Sequence, residues 1–357
     1  MNFRDVGTPV VIRIVAVAIL FLAIHPQARG AGKPLRGDVV TMKNGDRFTG
    51  EVKRLQSGVL YIETSYSSDN LAVEWSQVQS MKSTAMYLIT LANGRHVSGM
   101  LERLPDTETT EASVSIVNGD QKITVTPPQV IEASTQKSSW WRQLQGSIDS
   151  GSSFTSGNGQ VSIENDATVS YTDPGWSVGA TLGTSFSAQD QGARTNRDDL
   201  SFSYEKYLNR NSYVGALSDF LHSSQQDLQL RSTFGGGYGR FWKRTGTTNF
   251  RWIVGAVYTQ EKFTTPTQPS DSNAEGLLGV SYDLYHFKVG EIHSEVLFFP
   301  GISDYGRIRM TTTNALVIKL TNNFHFQFSF WDNYDSRPPT TAKNNELGLS
   351  SAIGWSF

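Results

Sequence analysis

From Gln143 to Phe357 apolar and polar residues alternate, segment after segment, with no helical period. Phe324, Phe326, Phe328 and Phe330 are separated by His325, Gln327 and Ser329. Trp176, Val178, Ala180, Leu182 and Phe186 alternate with Ser177, Gly179, Thr181, Gly183 and Ser185, and Leu200, Phe202 and Tyr204 with Ser201, Ser203 and Glu205. Successive side chains of a strand point to opposite faces. One face of each segment is therefore apolar and aromatic, and the other is small or charged. Two all-β folds use such a pattern: a soluble sandwich with its apolar face inward, and a closed barrel with its apolar face turned to lipid.

Three features favour the membrane barrel. Segments of ten to fourteen residues exceed the strand length of about 5–6 usual in soluble sheets and suit a tilted membrane strand of about 9–11. Twelve segments fit between 143 and 357. The longer connections, at Ala188–Asn196, Lys262–Asn273, Pro300–Tyr305 and Asn333–Lys343, alternate with tight ones such as Asp173-Pro174 and Thr321-Asn322-Asn323. Short turns on one side and longer loops on the other are the habit of outer-membrane barrels. Finally, Leu347, Leu349, Ile353, Trp355 and Phe357 share one face of the last segment, which ends on an aromatic residue. Trp355 and Phe357 resemble the terminal-strand signal read by the barrel-assembly machinery. An even strand count puts both ends of the barrel on one side of the membrane, which that assembly logic makes the periplasm.

The beginning of the chain agrees with export. Arg4 and Arg13 flank a basic start, Ile14 to Ile24 is an uninterrupted apolar run, and Ala28-Arg29-Gly30 supplies small residues for cleavage. The run would span about 17 Å as a helix, too short for a bilayer core of about 30 Å. Residues 1–30 are therefore expected to be a signal peptide. With Lys+Arg at 31 and Asp+Glu at 33, the chain lacks the basic excess of a nucleic-acid binder. Without cysteine it has no disulfide, thiolate nucleophile or cysteine-ligated metal.

Two stretches before the barrel match at a fixed offset. Asn44-Gly45-Asp46-Arg47-Phe48-Thr49-Gly50 with Arg54-Leu55 aligns with Asn93-Gly94-Arg95-His96-Val97-Ser98-Gly99 with Arg103-Leu104. Asn-Gly between alternating strands is a hairpin signal in which both turn residues take positive φ. Each copy reads as four or five short strands and resembles the small SH3-like and Sm-like barrels. The expected units are 37–84 and 85–133, followed by a polar linker at 134–142. Trp140-Trp141 falls where an interfacial aromatic girdle would begin. The repeats fit either a partner-binding module or a spacer.

Residues 140–357 resemble a family of salt-induced outer-membrane proteins, catalogued as a domain of unknown function. The residues that carry the resemblance are Gly157-Asn158, Arg231 leading into Gly235-Gly236-Gly237-Tyr238-Gly239, Glu261, Tyr334-Asp335 ahead of Pro338-Pro339, and the terminal Trp355-Ser356-Phe357. The resemblance implies a barrel and a location, and no established activity.

Chemistry is confined to the polar face. Glu291, His293 and Glu295 share one face, and Arg307, Arg309 and Lys319 share the corresponding face of the next segment. As a hairpin these acids and bases would be neighbours in the lumen, either as an ion-pair network that plugs it or as a lining that selects a solute. Charges of both signs facing each other favour ion pairing. Glu291, His293 and Glu295 on a lone strand converge poorly on a metal, and no cofactor site is expected. For a hydrolase, His222 with Ser223 and Ser224 lacks an orienting acid, and Asp283 and His286 fall on opposite faces. The expectation is an outer-membrane β-barrel with a passive channel or envelope-structural role. A lipid-modifying hydrolase is the alternative. Expected partners are membrane lipid, the assembly machinery and a periplasmic partner for 37–133.

Overall fold

The computed structural model describes residues 37–356, apart from short stretches at 68–69, 107–110, 136–143, 156–159, 174, 189–193, 209–210, 266–268, 287–289, 322 and 339–342. The expected signal peptide, Trp140-Trp141, most of the 134–142 linker, Gly157-Asn158 and Phe357 lie outside the described residues.

The first copy of the repeat runs through β1 (Asp38–Met42), β2 (Arg47–Gln56), β3 (Val59–Glu63), β4 (Leu71–Glu74), a 3-10 turn at Trp75–Gln77 and the start of β5 (Val78–Leu91). The second copy uses the rest of β5, then β6 (His96–Leu104), β7 (Ser113–Asn118), β8 (Gln121–Val125), a 3-10 turn at Pro127–Gln129 and β9 (Val130–Thr135). The order of elements is the same in both, as the sequence repeat requires. The copies are nevertheless not separate units at 37–84 and 85–133. The first half of β5 pairs with β1, Met81 opposite Val40, while its second half pairs with β9, Ile89 opposite Ala133. β2 also reaches β9, Leu55 opposite Ala133, and β6 reaches the first half of β5, Arg103 opposite Met81. The nine strands form one sheet over one core, in which Val40, Leu55, Ile62 and Trp75 of the first copy pack with Tyr87, Ile89, Leu101 and Ile116 of the second. The physical reason is size: a unit of about 45 residues buries too little apolar surface to stand alone.

The Asn-Gly turns also differ from expectation. Only the glycine takes positive φ, +93° at Gly45 and +79° at Gly94. Gly45 N donates to Met42 O and Met42 N to Asp46 O, and the same pair of bonds recurs at Leu91, Gly94 and Arg95. Each is a type I turn closed by a left-handed glycine.

The barrel consists of β10 (Gln145–Thr155), β11 (Gln160–Thr172), β12 (Trp176–Ala188), β13 (Thr195–Tyr207), β14 (Ser212–Ser223), β15 (Leu228–Arg244), β16 (Thr248–Phe263), β17 (Asp271–His286), β18 (Gly290–Pro300), β19 (Ile308–Lys319), β20 (Phe324–Asp335) and β21 (Asn345–Ser356). Every neighbouring pair is antiparallel, and β21 returns to β10 with Trp355 opposite Ile148, so the sheet has no edge. Closure directs the strand hydrogen bonds into the wall, as crossing lipid requires, and at the seam β10 and β21 pair over Ser147–Ser150 against Ile353–Ser356. Phe202, Phe234, Val254, Leu278, Phe328 and Ile353 are exposed outside, which matches the apolar face read from the sequence. Tyr171, Trp176 and Tyr204 cluster at the end that holds the tight turns, where an interfacial girdle belongs.

The N-terminal sheet contacts the barrel at this same end. Asn211 N, at the turn before β14, donates to Asn93 O at 3.2 Å. The His96 ring stacks on Tyr207 with centroids 4.3 Å apart. Gly58 lies against the β15–β16 turn, where a Cβ on it would come within 3.3 Å of Thr247.

Candidate functional site: the barrel lumen

Inside the wall the alternation leaves small and charged side chains around a cavity of about 610 Å³ that runs from Tyr213 and Gln327 near the turn end to Leu221 and Asn333 near the loop end. Its lining mixes Arg197, Arg231, Arg251 and Arg309 with Glu164, Asp166, Asp199, Asp219 and Glu295.

At the turn end, ion pairs and His–Asp hydrogen bonds bridge the wall. Arg251 on β16 reaches past β14 and β15 to Glu205 on β13 at 2.5 Å. His293 Nδ1 lies 2.5 Å from Asp283 Oδ1, whose other oxygen accepts from Asn249 at 3.0 Å. Lys319 meets Glu291 at 2.7 Å, and His325 meets Asp149 at 2.6 Å.

The loop end holds a denser cluster. Arg231 of β15 bonds Glu261 of β16 at 2.6 Å. Arg307, just ahead of β19, bonds Glu261 at 2.9 Å and Asp335 of β20 at 2.5 Å. Arg309 bonds Glu275 of β17 through Nε at 2.7 Å and Nη2 at 2.5 Å, and its Nη2 also donates to Thr259. Glu261 is 0% exposed and Glu275 1%. Charges so deep persist only where partners meet them with good geometry, and here each carboxylate has a guanidinium. On the opposite side of this end Glu346 of β21 accepts from Arg197 at 3.0 Å and from Ser223 at 2.8 Å.

Five of the six residues singled out in the sequence divide between these two ends, and Glu295 lines the cavity. Glu291 and Lys319 pair as a hairpin couple. His293 turns to Asp283 on the preceding strand. Arg307 and Arg309 do not meet Glu295, because β18 and β19 pair with Thr313 opposite Glu295 and Phe299 opposite Arg309. The loop before Arg307 shifts the basic residues beyond the acids of β18, and they take Glu261, Glu275 and Asp335 from other strands instead. Glu291, His293 and Glu295 do not converge on a common point. Glu275 was missed altogether. Arg231, Glu261 and Asp335 stood among the residues of the resemblance without a role, although the β15–β16 register sets Arg231 directly opposite Glu261.

The wall and lumen just described coincide with a family match. Residues 148–357 match the family described as "Protein of unknown function, DUF481". The chain belongs to that family. The DUF481 region thus covers the barrel from β10 to the C-terminus and includes every residue of the buried cluster. No curated protein sequence matches the chain. Among solved structures it is similar to the translocator domain of autotransporter NalP from Neisseria meningitidis, at 14% identity over 60% of this chain and 86% of that chain, with a TM-score of 0.35. It is also similar to the NanC porin, at 13% identity over 60% and 98% of the two chains, with a TM-score of 0.38.

The histidines bear on the hydrolase alternative. Both ring nitrogens of His222 are engaged, by Gln229 O and Asn196 Oδ1. Ser356 Oγ lies 3.2 Å from His325 Nδ1 while Asp149 holds Nε2. That trio sits on the lumen side of β20 and β21, with Phe324 and Phe326 facing out, so it is turned away from lipid.

Proposed function

We propose that the chain is an outer-membrane barrel whose lumen is a narrow, charge-lined passage for small solutes, constricted at its loop end by the cluster of Arg231, Glu261, Arg307 and Asp335. The observation that carries this reading is the cavity of about 610 Å³ lined along the lumen by charged side chains, since an interior built solely for stability would be packed dry. In this reading the N-terminal sheet stands on the periplasmic side, where its contacts with Tyr207, Asn211 and Thr247 keep it against the turn end. Trp355 and Phe357 serve the barrel-assembly machinery. Single-channel recording of the full chain in a planar bilayer tests the passage. Steady openings of small conductance support it, and a folded barrel that never conducts refutes it.

A further inference from the structure

At its turn end the cavity is followed by a short stack of side chains that ends on the N-terminal sheet. Tyr213 lines the cavity, and its ring lies 5.2 Å from that of Phe241. The Arg244 guanidinium lies 4.3 Å from the centre of the Phe241 ring. Arg244 in turn is close enough to act electrostatically on His96 of β6 and Glu132 of β9. Tyr207 follows the cavity-lining Glu205 by two positions on β13 and so shares its inward face. The His96 ring is stacked on Tyr207. The sheet therefore meets inward-facing residues of the wall as well as its turns.

Two turns of the sheet rest on two turns of the barrel. Asn211 N donates to Asn93 O, and a Cβ on Gly94 would lie 3.0 Å from Asn211 Oδ1. A Cβ on Gly58 would lie 3.3 Å from Thr247 and 3.4 Å from Gly246 O. These are contacts of backbone and small residues. The buried core of the sheet is built from its own residues and takes none from the barrel. Polar atoms are left over at the junction. Among the described residues Arg54 Nε, His96 Nε2, Asn211 Oδ1 and Arg244 Nη1 are buried without a hydrogen-bond partner, and Arg54 joins the group through Glu132, on which it acts together with Arg244. Such atoms regain hydrogen bonds from water when the two surfaces part, so they weaken the docked state. A polar interface with no shared core is the kind across which two units of one chain move.

We propose that the N-terminal sheet is a removable stopper of the barrel's turn-end mouth, closing the passage while docked on Tyr207, Asn211 and Thr247 and opening it when it swings away. The assignment rests on the lumen being the passage proposed above, and adds how that passage is shut.

The chain has no cysteine, so a disulfide across the junction tests this in the full chain. Asn93→Cys with Asn211→Cys puts thiols on residues whose backbones are already hydrogen-bonded, a separation that a disulfide can span. In a planar bilayer the reduced variant should open as the wild type does. The oxidised variant should conduct about tenfold less or lower still, because its mouth cannot clear, and dithiothreitol should restore it. Equal conductance in the two redox states, with the bridge verified by its shift on an unreduced gel, would overturn the proposal. Should this pair fail to fold or to form its bridge, Gly58→Cys with Thr247→Cys replaces it under the same criteria. Silence in both redox states refutes the passage itself, and the stopper is then decided by hydrogen exchange of the peptide carrying Asn211 in detergent. Exchange slowed about tenfold or more by the bridge upholds undocking of the sheet, and equal exchange overturns it.

Discussion

Asp149 and His325 bond at 2.6 Å across a strand that belongs to neither of them. β21 runs between β10 and β20 at the closing seam, and its Gly354 faces both residues in register. A Cβ on Gly354 would lie 1.9 Å from Asp149 Oδ1 and 2.2 Å from His325 Nε2. The bridge therefore exists because the terminal strand leaves a gap under it. Gly354→Ala is expected to break the hydrogen bond and weaken the seam by about 1–3 kcal/mol, the usual cost of leaving a buried polar partner unpaired. The readout is the temperature at which the folded, fast-migrating form on an unboiled gel is lost. An unshifted transition would contradict the seam's dependence on this contact.

The loop-end cluster should behave as a unit. Glu261→Ala leaves Arg231 and Arg307 buried without their shared acid and is expected to cost about 3–5 kcal/mol. Adding Arg231→Ala to it should cost less than the sum of the two single changes, because the residues are coupled. A double-mutant cycle on denaturant unfolding in detergent measures this, and strict additivity would mean that the contacts carry no coupling.

The two faces of β20 give a further check. Phe328 is 45% exposed on the outer face, whereas Gln327 lines the cavity. Phe328→Arg should destabilise the barrel in lipid by about 2–4 kcal/mol, the cost of a cation at mid-bilayer. Gln327→Arg should leave folding intact and change ion preference. Equal effects at the two sites would mean that the inner and outer faces are misassigned.

Acid should loosen the N-terminal sheet. Burial first, and then Arg244, hold the His96 imidazole down at about 4 against an ordinary 6.5. As the pH falls through 6.5 the unfolded chain takes up a proton that folded His96 refuses. This contribution to stability is therefore lost progressively between 6.5 and about 4 and is flat below. Glu132 works in the opposite sense: burial raises its pKa, so acidification relieves the cost of its charge. Thermal unfolding of the full chain should show a midpoint falling across that window, and His96→Gln should flatten the fall. A variant with the wild-type slope would assign the effect elsewhere.

The strands were legible because the signal is local. A period of two survives any error in pairing, so the Phe324 to Phe330 run could be placed on β20 without knowing its neighbours. The repeat was legible too, but its closure was not. That β5 serves both copies depends on how much apolar surface each can bury alone, which no turn motif reports. Among the lumen charges, Lys319 and Glu291 were found as hairpin neighbours. Arg309 was set against the wrong acids because the loop before β19 moves the register until Phe299 faces it. Glu275 and Asp149 escaped notice because their partners lie on strands that meet them through barrel closure.

The most direct test compares the single-channel conductance of the full chain with that of Arg307→Ala, both checked for the folded, heat-modifiable form. Arg307 ties Glu261 to Asp335 at the loop end, so its removal should raise a small wild-type conductance severalfold if the cluster bounds a passage. Silence in both proteins, or equal conductance in the two, would contradict the account.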